Sequence, residues 1–261
     1  MDLNLEGKHA LVCGGSQGIG KASAIELANL GANVTLLART DETLIEAMNQ
    51  LPKSQTQMHR YIAVDLNNVD LLRQEVGGLI EFEPIQILVN NTNGPGFGFL
   101  MEAKEHEFLD AFKQHVLSNQ RLTKWVLSGM QRSGYGRIIN IISTSVKQPI
   151  YGLGISNTIR AAVANWAKTM AMELGKWGIT VNNVLPGATM TRRQLAMLEY
   201  KSSQSKKSID EVKSDIFKQI PLGRFARPQE IGQAVAFLAS PAASYITGIN
   251  LPVDGGRTKS L

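Results

Sequence analysis

The turn at residues 13–20 (Cys-Gly-Gly-Ser-Gln-Gly-Ile-Gly) constrains the fold more than any other part of this chain. It places Gly14, Gly18 and Gly20 between a short apolar run and a segment of helical period. Glycine lets the chain bend tightly there and lets the backbone approach a ligand. A helix that begins at such a turn directs free N–H groups and a positive dipole end outward. The pattern therefore predicts a strand–turn–helix unit that binds a pyrophosphate. The turn also offers Ser16, Gln17 and Ile19 to the ligand.

Short apolar runs of strand length recur along the chain and alternate with longer segments of helical period. The predicted strands are residues 10–13, 34–38, 61–64, 85–89, 137–142, 179–184 and 249–253. The predicted helices include residues 19–30, 104–131 and 155–175. Several strands are apolar at nearly every position, as in parallel strands covered by helices on both faces. We expect an α/β fold with a doubly wound, Rossmann-type parallel sheet in three layers, forming a single domain over residues 1–261.

Residues 191–219 depart from this short-loop pattern because they form a long connection that contains the polar run 201–208. Long connections in compact domains are often lids or binding loops. The segment is therefore predicted to be either a substrate-covering loop or a solvated surface insertion.

Composition limits the classes of function. Cys13 is the only cysteine, so it has no partner in the chain for a disulfide, and a reducing compartment is indicated. The N-terminus lacks a signal-peptide pattern, and no stretch approaches the roughly 20 apolar residues of a membrane span. We expect a soluble cytoplasmic protein without membrane partners. The net charge of +5 is not concentrated in a dense basic tract, so nucleic acid is not expected as a partner. The spacing of the histidines does not indicate a metal site.

The residue after the second predicted strand bears on cofactor choice. An acidic side chain there would bind the ribose hydroxyl of NAD, whereas a basic one pairs with the 2′-phosphate of NADP. The sequence has Arg39, which favours NADP(H), with Ser16 and Gln17 as polar helpers. A solvent-facing arginine at a strand end is the alternative, and NAD(H) stays open as the second cofactor.

Several ordered motifs resemble the short-chain dehydrogenase/reductase family, especially its 3-oxoacyl-[acyl-carrier-protein] reductase-like members. Besides the glycine turn, these are Val64-Asp65-Leu66, Leu88-Val-Asn-Asn-Thr-Asn93, Pro186-Gly187 with Thr189, and the segment from Pro221 to Gly256. The resemblance implies a homo-oligomer, a tetramer or dimer. It also implies cofactor contacts from Asp65, Leu66, Asn91, Thr92, Asn93, Arg160, Pro186, Gly187 and Thr189.

The catalytic positions of that family are largely replaced in this chain. Its serine is matched by Ser143, whereas Ser156 stands where the family has tyrosine and Arg160 where it has lysine. His115 falls at the position of the family's asparagine. The resemblance thus places an altered site at these four residues.

The replaced residues allow a different division of roles. Ser156 has no accessible pKa and can only offer a hydrogen bond. Arg160 stays charged, so it could bind the ribose hydroxyls or stabilise an alkoxide. The missing proton could come from His115, or from Tyr151 in the loop before Ser156. The alternatives are a packed histidine and an ordinary loop aromatic.

Two hypotheses from different classes follow. The first is an NADP(H)-dependent reductase of a small carbonyl compound or a 3-oxoacyl thioester. The second is a catalytically silent NADP(H)-binding protein. An elimination or an epimerisation is a third alternative that the altered residues permit without indicating it.

Overall fold

A single parallel sheet of seven strands runs through residues 1–260, the part of the chain that the computed structural model describes. The strands are β1 (His9–Cys13), β2 (Asn33–Ala38), β3 (Arg60–Ala63), β4 (Ile87–Asn90), β5 (Gly136–Ile141), β6 (Ile179–Pro186) and β7 (Asn250–Val253). Their order is β3-β2-β1-β4-β5-β6-β7, so the winding reverses between β1 and β4. Ligands of such sheets bind in the crevice at the carboxyl ends of the strands near this reversal. The prediction of a doubly wound parallel sheet is confirmed.

The α-helices of the described part connect these strands. They are α1 (Gly18–Asn29), α2 (Asp41–Met48), α3 (Val69–Phe82), α4 (Glu105–Phe112), α5 (Ser118–Ser133), α6 (Gly154–Leu174), α7 (Arg192–Ser205), α8 (Ile209–Phe217) and α9 (Pro228–Ala239). Within residues 1–260, none of the helices combines the length and the apolar character needed to cross a lipid bilayer.

Helices cover both faces of the sheet, which gives the three predicted layers. On β1, Val12 packs into a core with residues of α1, α2 and α9, such as Leu27. The preceding residue of the same strand, Leu11, packs into a second core with residues of α3, α5 and α6, such as Val126. Successive strand side chains point to opposite faces, so a strand buried on both sides is apolar throughout.

The predicted helix 104–131 is interrupted in its middle. Between α4 and α5 lies a π-helical turn, Lys113–Leu117, and Gly134, which follows α5, adopts the left-handed conformation (φ 59°). Such π-turns inside helices are rare and frequently occur at functional sites. This turn carries His115.

Residues 191–219 are not a loop, and this prediction is wrong. They fold into α7 and α8, and each helix begins at a hydroxyl cap. The Thr191 hydroxyl accepts a hydrogen bond from the Gln194 amide at 3.3 Å, and Ser208 forms a capping box with Glu211. The polar run obscures the helical period because few positions are buried. The apolar cluster that holds the two helices together comprises Ala188, Leu198, Val212, Ile216, Ile220 and Phe225.

Candidate functional site

A cleft of about 1340 Å³ opens at the carboxyl ends of the strands, where ligands of doubly wound sheets bind. Most of the predicted site residues line it. They are Gly14, Ser16, Gln17, Gly18, Ile19, Arg39, Asp65, Leu66, Asn91, Thr92, Asn93, Ser143, Ser156, Arg160, Pro186, Gly187 and Thr189. Gly20, His115 and Tyr151 stand outside this lining.

The glycine turn is clamped between β1 and the end of β4. The Asn91 side-chain amide donates to the Cys13 carbonyl at 3.2 Å. A Cβ on Gly14 would lie 2.6 Å from the Asn91 amide nitrogen, and a Cβ on Gly20 would collide with the Gly14 carbonyl oxygen. Gly14 and Gly18 also have positive φ values of 60° and 56°. Larger side chains would therefore break this turn.

The same turn leaves the start of α1 open towards the cleft. Within residues 1–260, the N-cap residue Gln17 makes no side-chain hydrogen bond to the helix. The first N–H groups of a helix need partners, and an anion can supply them. The open N–H groups of α1 and the glycine positions that leave no room for a Cβ together fit a pyrophosphate.

Arg39 lies immediately after β2 and lines the same cleft. Its side chain is exposed, and no ion pair to a carboxylate engages it in the described part of the chain. Asp65, which follows β3, uses its Oδ1 to accept from the Asn67 amide at 2.8 Å. A free guanidinium is therefore available at this end of the cleft for an anionic group.

Ser143, Ser156 and Arg160 come together at the other end of the cleft. Ser143 follows β5, and its Oγ accepts a hydrogen bond from the Ser145 amide at 3.0 Å. Ser156 and Arg160 are four residues apart on α6, so their side chains lie on one face of that helix. Both are buried, with 7% and 8% of their surface exposed.

The Arg160 guanidinium is fixed by two backbone carbonyls. It donates to the Ile141 carbonyl at 3.0 Å and to the Thr92 carbonyl at 3.3 Å, bridging the ends of β5 and β4. Burial, followed by the charge of Arg193, lowers the pKa of Arg160 to about 10. The group therefore remains positively charged at neutral pH.

His115 lies behind the cleft wall rather than in it. Its Nδ1 is hydrogen-bonded to the Thr92 hydroxyl, and its Nε2 is buried without a partner among residues 1–260. Burial, followed by the charges of Arg160 and Arg193, lowers the pKa of His115 to about 2. The imidazole is therefore neutral at physiological pH and holds the Thr92 side chain.

The structure does not bring Tyr151 to the cleft. Its side chain is 86% exposed and makes an edge contact with Phe99, at 5.0 Å between ring centroids. The following residue, Gly152, has a φ of 77° that redirects the chain into α6. Sequence proximity to Ser156 therefore does not make Tyr151 a neighbour of that hydroxyl.

Sequence reasoning missed Arg193, a basic residue of the cleft. This residue of the first turn of α7 donates to the Pro95 carbonyl at 2.5 Å. Its guanidinium lies 4.0 Å from the centre of the Phe97 ring, which stacks on Tyr200 of the same helix at 5.2 Å. The sequence offers no local signal that separates Arg193 from its neighbour Arg192. Which of the two arginines contacts the loop after β4 depends on how α7 packs against that loop.

The chain matches known proteins over nearly its whole length. A family model described as enoyl-(acyl carrier protein) reductase matches residues 14–258. A 3-oxoacyl-[acyl-carrier-protein] reductase from Vibrio cholerae is 37% identical over 255 residues, covering 97% of this chain and 98% of the relative. The protein of the same description from Escherichia coli is 35% identical over 254 residues, covering 97% and 98%. The solved structure of L-sorbose reductase from Gluconobacter frateurii, complexed with NADPH and L-sorbose, has a TM-score of 0.92 and 31% identity over all of both chains.

Proposed function

Because the chain belongs to the short-chain dehydrogenase/reductase family, we propose that it is an NADPH-dependent reductase of a small carbonyl compound. One observation carries this proposal: Ser143, Ser156 and Arg160 line the same cleft as the glycine turn. A cofactor on the turn and a carbonyl group at the two serines would then share one site. Reduction of 3-oxoacyl thioesters or of a sugar, as named for the relatives, lies within this class.

The residues of the cleft fit NADP(H). The open N-terminus of α1 and the glycine turn would hold the pyrophosphate. Arg39, with Ser16 beside the turn, would hold the 2′-phosphate, which supports NADPH over NADH. Further contacts would come from the other cofactor-binding residues, namely Asp65, Leu66, Asn91, Thr92, Asn93, Pro186, Gly187 and Thr189. NADPH, when bound, supplies the hydride for reduction of a carbonyl carbon.

The chain's own groups would act on the carbonyl oxygen. The Ser143 and Ser156 hydroxyls donate hydrogen bonds to it, and the fixed charge of Arg160 stabilises the negative charge that develops there. Water from the open cleft supplies the proton that completes the alcohol. The role of general acid is not given to His115, since its pKa of about 2 leaves no imidazolium at neutral pH.

Helices α7 and α8 would form the cover of the substrate end. Arg193 and Met197 of this segment line the cleft. The stack of Arg193, Phe97 and Tyr200 ties α7 to the loop after β4. Residues 191–219 are thus proposed as the cover of the substrate, in the form of two helices and not of a loop.

A homo-oligomer, a tetramer or dimer, remains part of this proposal because of the family resemblance. Its test is the mass of the purified protein by light scattering, since a monomer at micromolar concentration would contradict it.

One experiment tests the reductase proposal directly. Oxidation of NADPH and of NADH by the purified protein is followed against ketones, aldehydes, sugars and 3-oxoacyl thioesters, with separate binding titrations of both cofactors. Turnover with NADPH supports the proposal. Failure to bind either cofactor contradicts it.

A silent NADP(H)-binding protein is the second candidate. Two observations favour it: His115 is neutral at physiological pH, and the Tyr151 side chain faces outward. Among the predicted catalytic residues in the described part of the chain, none is therefore placed and charged to donate a proton at neutral pH. Tight NADPH binding without turnover of any carbonyl in the panel would establish this candidate.

A further inference from the structure

Two arginine side chains approach the same short loop after β4 at the substrate end of the cleft. Arg160 donates to the carbonyl of Thr92, and Arg193 donates to the carbonyl of Pro95. The Arg193 Nη2 also lies 3.2 Å from the position that a Cβ on Gly94 would occupy. The lack of a side chain at Gly94 therefore leaves room for this guanidinium. Two positive charges thus converge on four consecutive residues.

These two charges lack a counter-charge in the protein. Across residues 1–260, neither guanidinium lies within ion-pair distance of an aspartate or a glutamate. Arg160 is buried, and an unpaired buried charge is costly. Burial and the neighbouring charge lower the pKa of Arg160, which is the expected mark of a positive charge without an anion.

Both guanidinium groups are held in place rather than free to swing into solvent. Two backbone carbonyls fix Arg160, while Arg193 is held by one carbonyl and by the face of Phe97. A guanidinium has five N–H donors, so each group keeps donors for a ligand. A fixed planar fork of this kind matches the two oxygens of a carboxylate.

We propose that the substrate is an oxo acid with its carboxylate one or two carbons from the carbonyl group, and that Arg193 binds this carboxylate together with Arg160. The proposal rests on the proposed reductase function. Ser156, whose hydroxyl would bind the carbonyl oxygen, and Arg160 lie on one face of α6, so a carboxylate that also contacts Arg160 must lie close to the carbonyl group in the substrate. Arg160 would therefore serve both the carbonyl oxygen and the neighbouring carboxylate.

Esters provide the matched comparison, since they keep the carbonyl group and remove the charge. The kcat/KM values for NADPH-dependent reduction are measured with 2-oxohexanoate, 3-oxohexanoate and their methyl esters. We expect at least one acid to exceed its ester by about 10- to 100-fold, the range for a charged hydrogen bond. Equal values for both acids and their esters overturn the proposal.

Variants assign that preference to Arg193. Arg193→Gln should bring kcat/KM for the acid to within a few-fold of the value for the ester, so the ratio of the two values, and not the ester rate, reports the role of Arg193. Arg193→Lys keeps the charge and should retain part of the preference. Arg132→Gln, at an exposed position of α5, is the control and should retain all of it. An acid preference that survives intact in Arg193→Gln overturns the assignment.

A binding measurement separates this inference from the reductase proposal. The complex with NADP⁺ cannot reduce a carbonyl, so calorimetric titration with 2-oxohexanoate or 3-oxohexanoate, each paired with its ester, reports binding alone. Tighter binding of one acid by at least about tenfold, lost in Arg193→Gln, supports the anion site even if no carbonyl is turned over. Equal binding within both pairs overturns the anion site, even if the enzyme reduces ketones.

Discussion

The side-chain amide of Asn90 donates to the Oδ1 of Asn140 at 2.9 Å, joining the ends of β4 and β5. Asn140 in turn donates to Asn183 on β6 at 2.9 Å, and Asn183 donates to Asn250 on β7 at 2.8 Å. These four residues are directly paired in the strand register. A ladder of mostly buried amides therefore runs across four strands of the sheet.

We expect Asn140→Ala to destabilise the protein by about 3 kcal/mol, because it leaves the amides of Asn90 and Asn183 without their central partner in a buried layer. Urea unfolding at pH 7 measures this change. Asn165→Ala, at an exposed position of α6, is the control, with an expected change within about 0.5 kcal/mol. Similar losses from both variants would contradict a structural role for the ladder.

Arg39 should set the choice between the two nicotinamide cofactors. In Arg39→Glu, we expect NADPH to bind at least about tenfold more weakly, because an attraction to the 2′-phosphate becomes a repulsion. NADH, which lacks that phosphate, should bind as well as before or better. Fluorescence titration with both cofactors measures the effect. Arg73→Glu, on the exposed face of α3, is the control, and an unchanged NADPH affinity in Arg39→Glu would refute the assignment.

Two buried histidines should make the protein sensitive to acid. Burial lowers the pKa of His115 to about 2 and, outweighing the nearby Glu83 carboxylate, that of His9 to about 4. In the unfolded chain both would bind a proton near pH 6.5, whereas the folded protein resists protonation. The free energy of unfolding should therefore fall as pH drops below about 6.5, by about 1.4 kcal/mol per pH unit for each histidine.

Unfolding by urea between pH 7.0 and 5.0 measures this slope. His115→Gln should remove the contribution of that one histidine, so its slope averaged over this range should be shallower by about 1 kcal/mol per pH unit. His106→Gln, at an exposed position of α4, is the matched histidine control. Equal slopes in wild type and His115→Gln would show that His115 becomes protonated in the folded protein.

Loss of the Thr191 cap should loosen the proposed lid. Thr191→Ala removes the hydroxyl that accepts from the Gln194 amide, at a cost of about 1 kcal/mol. Amide hydrogen exchange in residues 192–205 should then become about fivefold faster. Ser203→Ala, in the same helix but outside its cap, is the control. Unchanged exchange in Thr191→Ala would mean that packing alone holds the start of α7.

The alternation of apolar runs and helical segments was sufficient to predict the sheet and its layers, because strand and helix periods are local properties of a chain. The glycine turn and Arg39 could also be located, since each lies next to a predicted strand end. Ser156 and Arg160 were expected on one helix face by their spacing of four residues. In each case the relevant geometry spans only a few bonds or one element.

Tertiary structure decided the rest. Whether Tyr151 reaches the cleft depends on the turn at Gly152, and the pKa of His115 depends on burial and on arginines 45 and 78 residues away along the chain. The helices of residues 191–219 depend on a small apolar cluster that includes Phe225, beyond the segment itself. The sequence by itself determined the sheet, the glycine turn after its first strand and the placement of Ser156 and Arg160 on one helix face. Only the fold determined the neutral state of His115, the turn of Tyr151 away from the cleft and the approach of Arg160 and Arg193 to the loop after β4. These properties depend on burial and on charges that lie far apart in the sequence.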